Sequence, residues 1–209
     1  MYSLPYYKEQ DAAIVLEFMK QHPFAMVIAV DATNSPVATQ VPVLLKERDG
    51  ELYLQAHIMR QTDHHKAMQH NSQVLVVFTG PSAYISASWY EDKQQASTWN
   101  YQAVHVKGNL QFLDEAQLLL MLDELTAYFE NDETSPALYK HLPQDYVERL
   151  SKAIVAFEIK VTGIEHVFKL SQNKDRKNYE HIIGHLSKGN ANEQYIANEM
   201  EQRKGKLFP

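Results

Sequence analysis

Residues 80–108 (GPSAYISASWYEDKQQASTWNYQAVHVKG) constrain the fold more than any other stretch, because two arms of alternating polarity flank a polar loop. In the first arm Ala83, Ile85, Ala87 and Trp89 share one face, and Tyr84, Ser86, Ser88 and Tyr90 share the other. In the second arm Val104, Val106, Leu110 and Phe112 oppose Trp99, Tyr101, His105 and Lys107. Successive side chains point to opposite sides of a strand, so a period of two predicts extended backbone, whereas a helix would scatter each set around its circumference. The expected hairpin has one apolar face and one aromatic, hydrogen-bonding face. Such a face suits a planar ligand with polar edges; a plain sheet whose aromatic residues cover a helix or a second subunit gives the same pattern.

A hairpin alone is marginal in water and needs more strands. Residues 24–30 (FAMVIAV) are nearly all apolar, the look of a strand covered on both faces. The turn cluster DATNSP leads into a second strand at residues 37–45, where Pro42 marks an edge or an irregular stretch. In a third, Leu52, Leu54, Ala56 and Ile58 alternate with Tyr53, Gln55 and His57. Residues 73–79 (QVLVVFT) predict a buried strand that Gly80-Pro81 turns into the hairpin, and residues 153–161 predict a last strand, with Val155, Phe157 and Ile159 opposing Ala156, Glu158 and Lys160. Helices are fewer. Asp11 can cap one that carries Val15, Phe18 and Met19, residues 114–130 predict a second, and a shorter one runs to about residue 150. Mostly consecutive strands favour a mainly β (α+β) fold, a six- to seven-stranded antiparallel split or closed barrel with flanking helices. After residue 169 the apolar positions Tyr179, Ile182 and Leu186, then Tyr195, Ile196 and Met200, recur at helical spacing. The expected organisation is a barrel domain at 1–168 and a helical C-terminal extension at 169–209 packed on it.

Several chemistries are excluded. Without cysteine there is no disulfide or thiolate, and neither a G-x-S-x-G elbow, a P-loop nor a dinucleotide fingerprint occurs. His181 and His185 are four apart but lack the Glu of the H-E-x-x-H motif, so no metal site is expected. No apolar run approaches the roughly 20 residues of a membrane span, and no secretory leader is evident, so a cytoplasmic location is expected. A formal charge of −6 argues against a general nucleic-acid-binding surface, the short basic clusters at Arg176-Lys177 and Arg203–Lys206 notwithstanding. No acid, base or nucleophile constellation defines an enzyme.

One polar corner remains. Residues 57–70 (HIMRQTDHHKAMQH) bring His57, Arg60, Thr62, His64, His65 and Lys66 to the end of a strand and the start of a helix, with Thr62 or Asp63 as the cap. Free amide donors and the helix dipole favour an anion there, held by the planar fork of Arg60 and the point charge of Lys66. A solvated basic helix start is the equal alternative from this segment alone. Joined to the aromatic hairpin, the corner describes a mononucleotide-like ligand with a phosphate at one end and a flat ring at the other.

The motifs AYISASWY (83–90), TWNYQAVHVKG (98–108), PVATQVPV (36–43) and KLSQN (169–173) resemble, in order and spacing across nearly the whole chain, the PaiB-type FMN-binding negative transcriptional regulators of bacteria. The resemblance implies a split barrel of the flavin-reductase and pyridoxamine-phosphate-oxidase type, working as a homodimer with FMN at the subunit interface and, by resemblance only, DNA as a partner. It implies that the flavin lies along Thr39, Gln40, Val41 and Pro42, with its phosphate at the corner of His57, Arg60, Thr62 and Lys66. Ser88, Trp89, Trp99 and Asn100 would close the site from the same or the partner subunit, and Lys169 and Gln172 would reach it from the tail. Two alternatives stay open: an FMN-dependent oxidoreductase, and a haem-handling split barrel with His57 or His105 as axial ligand.

Overall fold

The computed structural model describes residues 1–2 and 4–209. In chain order the elements are α1 (Ala12–Gln21), β1 (Phe24–Val30), β2 (Pro36–Pro42), β3 (Leu44–Arg48), β4 (Glu51–Met59), α2 (Asp63–His70), β5 (Gln73–Ile85), β6 (Thr98–Phe112), α3 (Glu115–Glu130), α4 (Gln144–Ser151), β7 (Ile154–Lys169), α5 (Arg176–Leu186) and α6 (Ala191–Leu207). The caps are the short polar residues that local chemistry favours, since each supplies an acceptor for an otherwise unpaired amide. Asp11 accepts from the Ala13 amide at 2.9 Å, and Asp114 forms a reciprocal capping box with Gln117.

The seven strands form one sheet in the order β2-β1-β5-β6-β7-β4-β3. It is an antiparallel sheet of the split-barrel type with flanking helices. Strands β1 and β2 pair from Phe24 opposite Pro42 to Val30 opposite Pro36, and β4 pairs with β7 from Tyr53 opposite Lys160 to Met59 opposite Ile154. Residues 37–45, expected as one strand, are two. Val43 alone separates β2 from β3, and its amide leaves the ladder to donate to the Pro23 carbonyl at 2.9 Å. Because β2 and β3 lie at opposite ends of the strand order, a one-residue link forces the sheet to curl until its edges meet at that corner.

Gly80-Pro81 does not turn the chain as expected. Strand β5 runs through it for 13 residues, and Pro81 lies beyond residues 75–77, where β5 pairs with β1. Glycine is required there for a different reason: a Cβ on Gly80 would stand 2.9 Å from the Phe18 ring. The strand then ends earlier than its alternation implies, because the Ser86 side chain accepts from the Ser88 amide and folds Ala87–Trp89 into a 3-10 turn.

The chain forms two compact units, residues 1–22, 79–104 and 165–209 in the first, residues 23–78 and 105–164 in the second. In the first, Tyr179, Ile182, Leu186, Ile196 and Met200 are buried against Ala83, Ile85 and Tyr90, and the Tyr179 hydroxyl donates to the Met200 carbonyl at 2.9 Å. Fully burying a large apolar side chain contributes roughly 1.5–3 kcal/mol, so this shared core anchors α5 and α6. In the second unit Leu118, Met121 and Leu125 of α3 cover Leu44 and Ala156.

Candidate flavin-binding site

Strand alternation sorts the β2 residues. Thr39 and Val41 turn towards the interior, while Gln40 and Pro42 turn outward, opposite Met26 and Phe24 of β1. Helix α2 packs against both β1 and β2, and β2 also lies beside β4, so Thr39–Pro42 and the start of α2 occupy one corner of the second unit. The turn into α2 is tightly determined. Gln61 adopts a left-handed φ of 65°, held by its amide donating to His65 Nδ1 at 3.1 Å. Thr62 is the cap: its hydroxyl donates to the Met59 carbonyl at 2.9 Å and accepts from the His65 amide.

This turn leaves two cations outward. Arg60 and Lys66 are exposed, and neither side chain has a carboxylate partner among the described residues. Both act on one neighbour, since burial first, then the charges of Arg60, His64 and Lys66, hold the His65 imidazole below its ordinary range. Two uncompensated cations beside the N-terminus of a capped helix fit a phosphate, the charged end of FMN. Further along β4, His57 lies opposite Ala156, its Nδ1 buried without a partner and its basicity lowered by burial. It shares an alternate face with Gln55, whose cavity is walled by Gln117 and Met121 of α3, rather than the face of the buried Leu54 and Ala56.

The other anticipated residues belong to the first unit, and most are engaged there. Asn100 is wholly buried; its amide donates to Met200 Sδ at 3.4 Å and accepts from the Ser171 hydroxyl at 3.0 Å. Gln172 accepts from the Leu170 amide at 2.7 Å, and Lys169 donates to Thr98 Oγ1 and, at 3.0 Å, to the Trp99 carbonyl. Burial, with Lys174 adding to it, lowers the basicity of Lys169. Trp89 stacks on His185 with centroids 4.8 Å apart and planes 7° from parallel, which accounts for one member of the histidine pair on α5. Trp99 is 53% exposed, its edge against Tyr84, and the Ser88 hydroxyl bonds that of Ser86. Trp99 and Ser88 therefore remain presented to solvent, whereas Asn100 ties β6 to the tail.

The sequence reading missed a second polar centre. Glu158, 3% exposed in the middle of β7, meets Arg48 at 2.5 Å and accepts from Gln55 at 2.7 Å and Gln111 at 3.4 Å. Arg48 in turn lies over the Tyr53 ring at 4.1 Å. Glu158 and Arg48 both line two adjoining cavities of about 260 and 510 Å³. The signal was present as a lone carboxylate in the apolar run VAFEI, since a buried charge is rarely left unpaired.

The curled antiparallel sheet defines a protein of the split-barrel class. Solved structures with this fold include the FAD and heme binding protein from Mycobacterium smegmatis, at TM-score 0.57 and 16% identity over 77% of this chain and 72% of that one. Another is the flavocytochrome Anf3 from Azotobacter vinelandii, at TM-score 0.56 and 15% identity over 80% and 72%. The family model described as "Putative FMN-binding domain" matches residues 1–163, and the chain belongs to that family. A curated relative, "Protease synthase and sporulation protein PAI 2" of Bacillus subtilis (strain 168), is 32% identical over 97% of this chain and 98% of its own length. An uncharacterized protein of Emericella nidulans is 24% identical over 97% of both chains. The PaiB-type resemblance read from the motifs is thus shown, with FMN as the family's cofactor. No described helix is long and apolar enough to cross a membrane.

Proposed function

We propose that this protein is an FMN-binding homodimer that acts as a negative regulator of transcription, with the flavin as bound cofactor or sensed ligand. The observation that carries the flavin half is the pair of unpartnered cations, Arg60 and Lys66, at the Thr62-capped start of α2 beside β2. These two side chains and Thr62 hold the phosphate, and Thr39, Gln40, Val41 and Pro42 present backbone and side-chain groups to the ring edge. Bound there, FMN supplies a redox-active isoalloxazine, and the residues of the chain bind and orient it. The family resemblance assigns Ser88, Trp89 and Trp99 to the ring side as an aromatic wall, from the same or the partner subunit. The contribution of Asn100, Lys169 and Gln172 is to hold that wall in place through the hydrogen bonds described above.

Homodimerisation is supported by the outward face of β1, where Phe24 is 61% and Met26 37% exposed opposite Pro42 and Gln40. A contiguous apolar strand face in water is a typical interaction surface. The proposed partition is a flavin-binding part at 1–168 and a helical extension at 169–209, and the packing of Leu170, Tyr179 and Ile196 on Ala83 and Ile85 supports the docking of that extension rather than a boundary. The regulatory half rests on the Bacillus subtilis relative, whose name ties it to protease synthase and sporulation. With a net charge of −6, DNA contact runs through local basic segments or a partner protein.

The visible spectrum of the purified protein, with and without added FMN, tests the cofactor. Flavin bands and quenched FMN fluorescence are expected; a haem Soret band, or no bound chromophore at saturating FMN, would overturn the reading. Light scattering after size exclusion reports the dimer. Binding of promoter DNA with a steep salt dependence, alone or with a partner, tests the regulatory half.

A further inference from the structure

Lys169 closes β7 on a backbone pinned at both sides. Phe168 and Leu170 are 1% and 0% exposed, and the Leu170 amide donates to Gln172 Oε1 at 2.7 Å. Ser171, left-handed at φ 62°, donates its hydroxyl to the buried Asn100. A lysine at such a strand end ordinarily extends its amine into water. Here the amine crosses to β6 instead, where it donates to Thr98 Oγ1 and, at 3.0 Å, to the Trp99 carbonyl, while the residue stays partly exposed.

These partners suit one form of the amine better than the other. An ammonium carries three N–H donors and a charge, whereas the free amine carries two donors and a lone pair. Thr98 and Trp99 supply two neutral acceptors, and no carboxylate stands within ion-pair distance of Lys169 among the described residues. The charge that does act on it has its own sign. The turn at 171–174, closed by the Lys174 amide on the Ser171 carbonyl at 3.0 Å, brings Lys174 back towards it. The Lys174 ammonium is held there by Gln95 Oε1 and lies 4.1 Å over the Tyr90 ring, so it is not free to swing clear. Burial first, then Lys174, lowers the basicity of Lys169. Lys160 and Lys177 show the opposite case, held above the ordinary range by Glu51 and Glu91. Desolvation and a neighbouring cation are the two means by which a lysine is activated as a nucleophile.

We propose that Lys169 is a nucleophilic modification site for small acyl phosphates, with Lys174 offering a cation to their phosphate group. The free amine attacks the acyl carbon; an N–C bond forms, the acyl C–O bond breaks, phosphate leaves with the bonding pair, and the surplus proton on nitrogen passes to solvent. No oxidant or reductant takes part. The amide formed keeps one N–H for two acceptors, so acylation removes one of the ties that Lys169 makes between β7 and the start of β6. The site stands on Lys169 and its neighbours and not on the flavin or regulatory reading.

Trace acetylation of the full-length protein tests it, with modification at each lysine followed by peptide mass spectrometry across neutral and alkaline pH. Acetic anhydride is uncharged and reads the amine alone; acetyl phosphate reads the amine and the attraction of Lys174 together. At pH 7 both reagents should modify Lys169 severalfold faster than the exposed Lys152 and Lys188, and those faster than Lys160 and Lys177. Lys174→Gln should slow Lys169 severalfold, more with acetyl phosphate than with the anhydride, whereas Lys174→Arg keeps the charge and the fast rate. Lys169→Gln should quicken hydrogen exchange over residues 98–101, as full acetylation does, while Lys169→Arg stays near wild type. Labelling of Lys169 no faster than that of Lys152 and Lys188 with either reagent, or an unchanged rate in Lys174→Gln, would overturn the proposal.

Discussion

Replacing Arg60 or Lys66 by alanine should weaken FMN while leaving riboflavin almost untouched, because the two flavins differ only in the phosphate. Both side chains are exposed, so their attraction to a phosphate is water-screened. A unit charge pair at 4 Å is worth about 1 kcal/mol in water, and a phosphate monoester carries about −1.5 to −2 charges near neutrality. Each cation therefore contributes about 1.5–2 kcal/mol, the lower part of the range for charged hydrogen bonds. At about 1.4 kcal/mol per decade, each substitution should raise the Kd for FMN by roughly 10- to 30-fold. Raising salt from about 0.1 to 1 M shortens the screening length from about 10 to 3 Å, so the wild-type preference for FMN over riboflavin should shrink. Quenching of flavin fluorescence gives all six affinities, for the wild type and the two alanine variants with each flavin, and Arg60→Lys should recover most of the charge term but not the bidentate geometry. Neither position is buried, so the melting temperature without flavin serves as the folding control. Equal losses for FMN and riboflavin, or a preference that salt does not reduce, would place the phosphate elsewhere.

Stability should fall as pH drops below neutrality. Burial is the first cause of the lowered basicity of His22, His57, His65 and His166. Below the ordinary value of about 6.5 the unfolded chain binds protons that these folded imidazoles refuse, so stability present above that pH is lost as pH falls through the window down to their folded values. Melting curves between pH 8 and 5 check this, and a midpoint that is flat or rises on acidification would refute it. Gly108→Ala should destabilise by about 1–3 kcal/mol, since an added Cβ meets Ile159 Cγ2 and stands 2.6 Å from the Lys160 backbone carbonyl, which cannot step aside; a denaturation midpoint within error of wild type would count against the close approach. Glu158→Ala should lower the melting temperature more than Arg48→Ala, because the Glu158 side chain is 4% exposed and also serves Gln55, whereas that of Arg48 is 52% exposed. The reverse order would mean that the carboxylate is not the centre of that network.

Much of this molecule is legible in its residues. The alternation of Val104, Val106 and Leu110 against Trp99, Tyr101 and His105 names the buried and outward faces of β6 correctly, because a strand's side-chain period depends on backbone geometry alone. Asp11, Thr62 and Asp114 announce their helices for a similarly local reason, each bonding an amide two or three residues away. The cationic corner is also local, since Arg60, Thr62 and Lys66 fall within two turns of chain.

What the tertiary structure decided are the questions that involve distant partners. Only the packing of Phe18 shows why Gly80 is needed inside a continuous strand rather than at a turn. Only the curl of the sheet explains why a chain that reads as one strand at 37–45 breaks at Val43 and continues on the opposite edge. Asn100 looks like a ligand-facing amide in TWNY, yet Ser171 and Met200, 71 and 100 residues away in sequence, claim it for the core. Residue type and spacing determine which way a side chain points along its own element; what it meets there depends on burial and on contacts that cross the whole length of the chain.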